Sequence, residues 1–310
     1  MDRLPNTSLA SRILKKDKLA LSRAISIVEN RLKGYKDILS ELYPYRKSIC
    51  KIGVTGPPGA GKSTITSKLS KKYIDKGKEV GVICVDPSSS FNGGAILGDR
   101  IRMNEVYMSD NIFIRSIATR GSYGGLSDNI LDIEILYEAF GFDVIVYETV
   151  GVGQIELDIM NCANTIVLVI TPESGDDIQM MKAGLIECAS IIVINKSDRD
   201  GADKINTFLE QYLRINDLGE SVPVIKTIAI KEEGIGSLIS AIKKNHIRLI
   251  EKKELSRKDD QKYRDMIAKI ASENLLEKFM NEKRLRLIDS EVGKSAERRM
   301  SPYNLFEKIK

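Results

Sequence analysis

The chain has 310 residues, with 48 lysines and arginines against 43 aspartates and glutamates. This length allows one large domain or two smaller ones, and a hydrophobic fraction of 42% is enough for a sizeable core, which excludes a globally disordered chain. The net charge of +5 is small for a chain of this size and gives no argument for a nucleic acid or a membrane surface as a partner.

Cysteine and histidine are scarce in this chain. The four cysteines lie far apart without a CxxC pair, and His246 is the only histidine. These counts exclude a zinc-finger cluster and any mechanism that needs two histidines, and they argue against a disulfide scaffold. The longest apolar runs are far shorter than the ~20 residues of a transmembrane helix, and the N-terminal segment lacks the apolar stretch of a secretory signal. We therefore expect a soluble protein of the cytoplasm.

The apolar pattern divides the chain into three parts. Residues 8–46 favour helix, because Leu21, Ala24, Ile25, Val28 and Leu32 recur at helical spacing. From residue 48 onward, short β-branched runs alternate with helical stretches, which predicts a mostly parallel sheet covered by helices on both faces. The predicted strands are Ile52–Val54, Val80–Val85, Ile112–Ile114, Val144–Tyr147, Thr165–Ile170, Ile191–Ile194 and Val222–Ile225.

The strand pattern stops near Lys243, and residues 245–290 are again rich in helix-forming side chains. Tyr263, Met266, Ile267 and Ile270 fall on one helical face. Near the end of the chain, Ser301 followed by proline is typical of a capped helix start. The sequence thus predicts an N-terminal helical extension over residues 1–47, an α/β domain over 48–244, and a C-terminal helical segment over 245–310.

A phosphate-binding loop follows the first predicted strand. The residues that fit G-x-x-x-x-G-K-[ST] are Gly56, Pro57, Pro58, Gly59, Ala60, Gly61, Lys62 and Ser63. A strand precedes this loop and a helix follows it, which is the context that the motif requires. Backbone N–H groups and the helix N-terminus would bind phosphate, and Lys62 would reach the β- and γ-phosphates. We expect Ser63 to bind Mg²⁺ and Thr64 to contact the α-phosphate.

A base-recognition motif, N-K-x-D, follows the predicted strand Ile191–Ile194. The carboxylate of Asp198 can accept hydrogen bonds from both donors on one edge of guanine, a donor pair that adenine lacks. Lys196 would lie over the base, and Asn195 would tie this loop either to the phosphate loop or to the base edge. The motif predicts GTP rather than ATP as the nucleotide.

Acidic residues follow two other predicted strands. Glu148 stands where phosphate-loop proteins place an acid near Mg²⁺, and we expect it to act on the metal through a bound water or from outside its direct coordination shell. Asp86 and Asp99 flank a glycine-rich segment and are candidates to complete the metal shell or to position the attacking water. Gly151 would offer its N–H to the γ-phosphate, and Gln154 is a candidate to orient water.

Together these motifs closely resemble the MeaB/ArgK family of P-loop GTPases, which are associated with methylmalonyl-CoA mutase. The resemblance rests on the segments GPPGAGKST (56–64), DPSSS (86–90), GGAILGDRIRM (93–103), ATRGSYGGLS (118–127), ETVGVGQ (148–154) and NKSD (195–198). It implies a three-layer P-loop G domain with helical extensions at both ends. It also implies that Asp86, Asp99 and Glu148 are the magnesium-side carboxylates.

The resemblance further implies that Thr171–Lys182 is a loop that signals the nucleotide state to a partner, and that the C-terminal helices form a homodimer arm. The implied function is a slow, partner-stimulated GTPase that uses GTP and Mg²⁺ and gates cobalamin loading of an adenosylcobalamin-dependent acyl-CoA mutase. Two alternatives stay open: a nickel-insertion GTPase, against which the scarcity of cysteine and histidine argues, and a kinase linked to lysine, arginine and ornithine transport.

Overall fold

The structure, a computed structural model, describes residues 8–86, 106, 109–118, 126–149, 162–173, 185–218 and 222–310, without the side chains of residues 86, 118 and 126–129. The chain divides into two compact units, one ending at Arg248 and the other beginning at Leu249. In the described part of the chain, no helix is both long and apolar enough to span a membrane.

One sheet of seven strands organises the first unit. Its strand order is β3-β2-β4-β1-β5-β6-β7, and every pairing between neighbours is parallel. The strands are β1 (Cys50–Thr55), β2 (Val80–Asp86), β3 (Ile112–Ala118), β4 (Val144–Thr149), β5 (Thr165–Ile170), β6 (Ile191–Asn195) and β7 (Val224–Thr227). The predicted last strand, Val222–Ile225, is displaced by two residues, because Pro223 has no N–H to donate to the ladder.

Helices surround this sheet and form the second unit. Those before and between the strands are α1 (Leu9–Leu14), α2 (Lys18–Glu29), α3 (Tyr35–Leu42), α4 (Lys62–Ile74), α5 (Leu126–Phe140), α6 (Leu185–Cys188) and α7 (Ala202–Ile215). After the sheet come α8 (Ile235–Glu251), α9 (Glu254–Phe279), α10 (Glu282–Val292) and α11 (Pro302–Ile309). Short 3₁₀ helices occupy Tyr43–Tyr45, Ala229–Lys231 and Ala296–Arg298.

Alternate residues of the central strands face two separate hydrophobic cores. On β5, Val167 and Val169 pack with α4 and α8, whereas Leu168 and Ile170 pack with α6 and α7. Successive side chains of a strand point to opposite faces of the sheet, so this division means that the sheet is covered on both sides. The α/β architecture predicted from the sequence is therefore confirmed, with three layers.

The N-terminal helical region is interrupted where a single pattern over residues 8–46 predicted helix. Lys16 (φ 66°), Arg31 (φ 49°) and Gly34 (φ 89°) have left-handed backbone conformations and lie between successive helices. Leu21 and Val28 are buried as predicted, but Leu32 lies beyond the end of α2 and is 52% exposed. The extension is fastened to the sheet edge, since Arg115 of β3 donates to Glu29 Oε2 (3.1 Å) and Ser26 Oγ (3.1 Å) of α2.

The second unit is built on helices with few buried side chains. Asn281 caps α10, and Ser301 caps α11 with proline at its first position, as the sequence predicted. Arg284 of α10 stacks over the Phe279 ring at 4.2 Å and donates to the carbonyl oxygens of Phe279 (2.9 Å) and Lys310 (2.9 Å). One guanidinium thus joins the end of α9 to the end of the chain.

A buried cluster of charged and polar side chains links β1, β4 and α5. Lys51 of β1 lies 2.6 Å from Glu134 Oε1 and 2.6 Å from Glu138 Oε1, and all three side chains are at most 4% exposed. Tyr147 of β4 donates to Glu134 Oε2 (2.6 Å), and Arg46 donates to Glu138 Oε2. Burial alone would lower the pKa of Lys51, but the two carboxylates outweigh it and raise that pKa, so Lys51 stays charged.

Replacing Lys51 by Met should lower the free energy of unfolding by about 3–5 kcal/mol, because the two glutamates would stay buried without their shared cation. Lys47→Met is the matched control, since Lys47 is exposed. Urea unfolding followed by circular dichroism measures both variants. Equal unfolding midpoints for the two would contradict this account of the cluster.

Candidate functional site

The phosphate loop connects β1 to α4, and Lys62 begins that helix as the motif predicts. The Lys62 side chain is buried, and its ammonium donates to the carbonyl oxygens of Gly56 (2.6 Å) and Pro57 (2.9 Å). Pro58 and Gly59 form the exposed tip of the loop, and Ala60 is buried beneath it. The loop therefore places a positive charge beside the N-terminus of a helix, where anions bind favourably.

Two glycines of the loop allow backbone approaches that no other residue permits. Gly61 has φ 90°, and a Cβ there would lie 2.3 Å from Nδ2 of Asn195. Gly56 has φ 139°, and a Cβ there would lie 2.0 Å from the carbonyl oxygen of Val169 on β5. The glycines are thus required by the fold around the loop as well as by a bound phosphate.

A hydroxyl and a carboxylate side chain meet near the end of β4. Glu148 is buried, and the Ser63 hydroxyl at the start of α4 donates to its Oε1. The next residue of the helix, Thr64, is half-buried in the same first turn. A hydroxyl and a carboxylate are ligands of the kind that Mg²⁺ takes, and these two already meet beside the phosphate loop. The donor set fits a magnesium ion.

The other predicted acidic and switch residues are only partly described. Asp86 ends β2, where its Cα pairs with Ala118 of β3, but its side chain is not described. Asp99, Gly151 and Gln154 lie outside the described residues, so their predicted roles stay predictions. In the described ranges, no group of three or more His, Cys, Asp or Glu side chains is placed to hold a metal ion.

Asn195 at the end of β6 connects the base-recognition loop to the phosphate loop. Its Nδ2 donates to the carbonyl oxygen of Ala60 (2.8 Å), while its Oδ1 accepts from Thr227 Oγ1 (3.1 Å) and from the N–H of Ala229 (3.2 Å). Of the two roles predicted for Asn195, the structure shows the tie to the phosphate loop. The buried amide uses both of its polar ends, which fixes its orientation.

The rest of the N-K-x-D motif faces outward. Lys196 has a left-handed backbone (φ 56°), Ser197 donates its N–H to the carbonyl oxygen of Thr227 (3.1 Å), and Asp198 is exposed. Asp198 thus lies exposed in the turn that follows the carboxyl end of β6. A carboxylate in this position is free to accept from a ligand that approaches that edge.

The loop after β5 contacts the base-recognition loop. Glu173 is the last described residue of the segment Thr171–Lys182. Arg199, which follows Asp198, donates a hydrogen bond to the Glu173 carboxylate. This hydrogen bond lowers the pKa of Glu173 and raises that of Arg199, so both groups are charged at neutral pH. The described start of the predicted signalling loop is therefore in direct contact with the predicted base site.

The third side of the site is the stretch from Thr227 to Ala229, which lies outside the sequence motifs. Thr227 and Ala229 are buried and bond to Asn195, and Ile228 forms an isolated bridge with Glu233. No sequence motif marks this stretch, because backbone groups make most of its hydrogen bonds. Its position directly after a short strand is the one signal that the sequence offers.

Gly61→Ala should weaken GTP binding by more than about tenfold, because the added methyl would displace the Asn195 amide in addition to straining the backbone. Gly77→Ala is the matched control, since Gly77 has φ 73° and open space around its Cα. Calorimetric titration with GTP compares the two variants. Loss of affinity in both variants would show that general instability, rather than the displaced amide, is the cause.

The comparisons with known proteins agree with this site. The family model for the methylmalonyl Co-A mutase-associated GTPase MeaB matches residues 21–284. A Pyrococcus abyssi protein named as a candidate GTPase is 44% identical over 271 residues, which cover 85% of this chain and 83% of that protein. GTPase ArgK of Escherichia coli is 38% identical over 205 residues, covering 65% of this chain and 62% of ArgK.

Two further relatives extend the comparison. The mouse mitochondrial methylmalonic aciduria type A homolog is 34% identical over 242 residues, 76% of this chain and 58% of that protein. A crystal structure described as an LAO/AO transport system kinase aligns with a TM-score of 0.69 at 26% identity, covering 100% of this chain and 97% of that one. The chain belongs to the MeaB family of P-loop GTPases.

Proposed function

We propose that this GTPase is a nucleotide-dependent chaperone of an adenosylcobalamin-dependent acyl-CoA mutase, gating the loading of cobalamin and protecting the mutase from inactivation. The observation that carries the proposal is the joined site: Asn195 holds the base-recognition loop to the phosphate loop, and Arg199 joins that loop to Glu173. The family description, which names methylmalonyl Co-A mutase, supports a mutase of this type as the partner. We place this activity in the cytoplasm.

Magnesium and GTP fit the described donors of this site. Ser63 and Glu148 would hold Mg²⁺, which would neutralise charge on the phosphates, and the ammonium of Lys62 would act beside it. Asp86 and Asp99 are proposed to complete the metal side, with Gly151 and Gln154 near the γ-phosphate. Asp198 would select guanine by accepting from its two donors on one edge.

The proposal requires that the bound nucleotide affects the contact with the partner. The exposed Arg199–Glu173 pair supports such a connection, because Glu173 belongs to the segment that we propose as the signalling loop. A change in the base-recognition loop would be passed to that segment through a charged contact. Switches of this kind depend on a local electrostatic event that biases a larger movement.

A binding experiment with a candidate mutase tests the proposal. The full chain and the mutase are mixed with GTP and Mg²⁺, with GTP and EDTA, with GDP, or without nucleotide, and the complex is measured by size-exclusion chromatography. We expect the amount of complex to depend on the nucleotide and on Mg²⁺. Lys62→Ala, which removes the ammonium from the phosphate loop, should abolish the dependence on nucleotide.

The same experiment has outcomes that reject the proposal. A complex of equal strength under all four conditions, or no complex with any mutase tested, would contradict a nucleotide-dependent chaperone. Transfer of radiolabelled phosphate from GTP to a transport-related protein would favour the kinase alternative. Stoichiometric Ni²⁺ binding in equilibrium dialysis would favour the nickel alternative, which nothing among the described side chains supports.

We also propose that the chain forms a homodimer through its C-terminal helices. Leu255 is the one buried residue of α9, a helix of 26 residues that is described throughout. Tyr263, Ile267 and Ile270 lie on one face of it and are 52%, 51% and 43% exposed. A helix in a protein is stabilised mainly by packing its apolar face against another element. The exposed apolar face of α9 therefore supports the proposal that a second copy of the chain packs on it.

Ile267→Asp should convert the dimer to a monomer, because a carboxylate would be buried in the apolar contact. Ser272→Asp is the matched control, since Ser272 is exposed and points to the opposite side of the same helix. Light scattering coupled to size-exclusion chromatography measures the mass of each variant. A wild-type chain that elutes as a monomer would refute the proposal directly.

A further inference from the structure

A turn beside the base site carries a charged cluster that the motifs do not explain. After the 3₁₀ helix Ala229–Lys231, Glu232 adopts a left-handed conformation (φ 61°), which is uncommon for glutamate. The turn is closed by two hydrogen bonds, from the N–H of Glu232 to the Ala229 carbonyl oxygen (3.2 Å) and from the N–H of Ile228 to the Glu233 carbonyl oxygen (3.1 Å). The turn therefore holds the Glu232 side chain in a defined direction.

That direction leads to three lysines of α4. The Nζ atom of Lys72 lies 2.7 Å from Glu232 Oε2, and the Nζ atoms of Lys68 and Lys71 lie 3.5 Å and 3.7 Å from Oε1. The side chains of Lys68 and Glu232 are 12% and 28% exposed, so the contact is partly shielded from water. The hydrogen bond from Lys72 lowers the pKa of Glu232, which keeps the carboxylate ionised at neutral pH. We call these four residues the Glu232 cluster.

The cluster joins two parts of the nucleotide site that are distant in sequence. Helix α4 begins at Lys62 of the phosphate loop, and Lys68 lies about 9 Å further along its axis at 1.5 Å per residue. The turn that carries Glu232 begins at Ala229, whose N–H bonds to Asn195 of the base-recognition motif. Glu232 is thus a second connection between the phosphate side and the base side, beyond the one that Asn195 makes.

We propose that Glu232 is a positioning residue for the nucleotide, which holds the base-side turn against α4 and thereby slows nucleotide release. A bound GTP or GDP would contact both sides, so separation of the two sides would weaken its binding. A carboxylate shared by three ammonium groups opposes that separation. One network of partly exposed ion pairs gives a modest effect, larger than that of an isolated surface pair. The proposal rests on the binding of a guanine nucleotide at this edge of the sheet.

Glu232→Gln tests the proposal in the full chain, with release of a fluorescent GDP analogue as the measurement. We expect release to accelerate about threefold to fivefold, the scale of a partly shielded charge network. Glu233→Gln is the matched control, because it removes the same charge from an adjacent, exposed glutamate. The rate constant of GTP hydrolysis in a single turnover should stay unchanged in both variants, because the lysines that Glu232 contacts lie well beyond Lys62 on α4 and Glu233 is exposed.

A double-mutant cycle with Lys72→Gln assigns the effect to the cluster. If the pair acts as proposed, adding Lys72→Gln to Glu232→Gln should accelerate release less than Lys72→Gln does alone. Added salt should reduce the difference between wild type and Glu232→Gln, because mobile ions screen partly exposed charges.

Four results would overturn the inference. Release at the wild-type rate from Glu232→Gln would show that the cluster does not hold the nucleotide. Equal acceleration in the two glutamine variants would assign the effect to net charge alone. A parallel fall of hydrolysis and melting temperature in Glu232→Gln would assign it to general instability. If wild type itself binds no GDP analogue, the nucleotide-binding assignment on which the inference rests fails as well.

Discussion

All seven strands of the sheet run in the same direction, and the functional site follows from that constraint. Parallel strands end at a common edge, so the carboxyl ends of β1, β4, β5, β6 and β7 lie along one edge whatever their distance in the sequence. Glu148 and Ser63 are separated by 85 positions and are hydrogen-bonded. Asn195 and Ala60 are separated by 135 positions and are also hydrogen-bonded. The sheet brings together phosphate-binding, acidic and base-binding groups that no local structure could join.

Much of this arrangement was predictable, because a motif that directly follows a predicted strand must lie at the carboxyl end of that strand. The phosphate loop, the acid at Glu148 and the N-K-x-D motif each come directly after a β-branched apolar run or at its end, and such runs become strands of one parallel sheet. The apolar pattern of residues 8–46 did not predict where one N-terminal helix ends and the next begins. Left-handed turns at Lys16 and Gly34 leave the apolar periodicity almost intact, so one long helix and several short ones look alike in the sequence.

Contacts between side chains that are distant in sequence were beyond prediction. Nothing near Lys51 indicates that a charged residue inside a strand will be buried, because its partners Glu134 and Glu138 lie on a helix more than eighty residues later. In the sequence, the three lysines of α4 are typical of a solvent-exposed helix face, and only the structure shows Glu232 beside them. Such pairs depend on the complete packing of the chain, which periodicity does not encode.

The buried charge cluster has a consequence for how this protein can be divided. Arg46 belongs to the stretch that precedes the sheet, yet it donates to Glu138, whose side chain is 2% exposed. A truncated protein that began after residue 47 would keep Glu138 and lose this cation, while also uncovering the surface of α5 on which the first helices pack. The N-terminal helices are therefore part of the folding unit of the sheet rather than an appendage, and a shortened recombinant fragment should retain them.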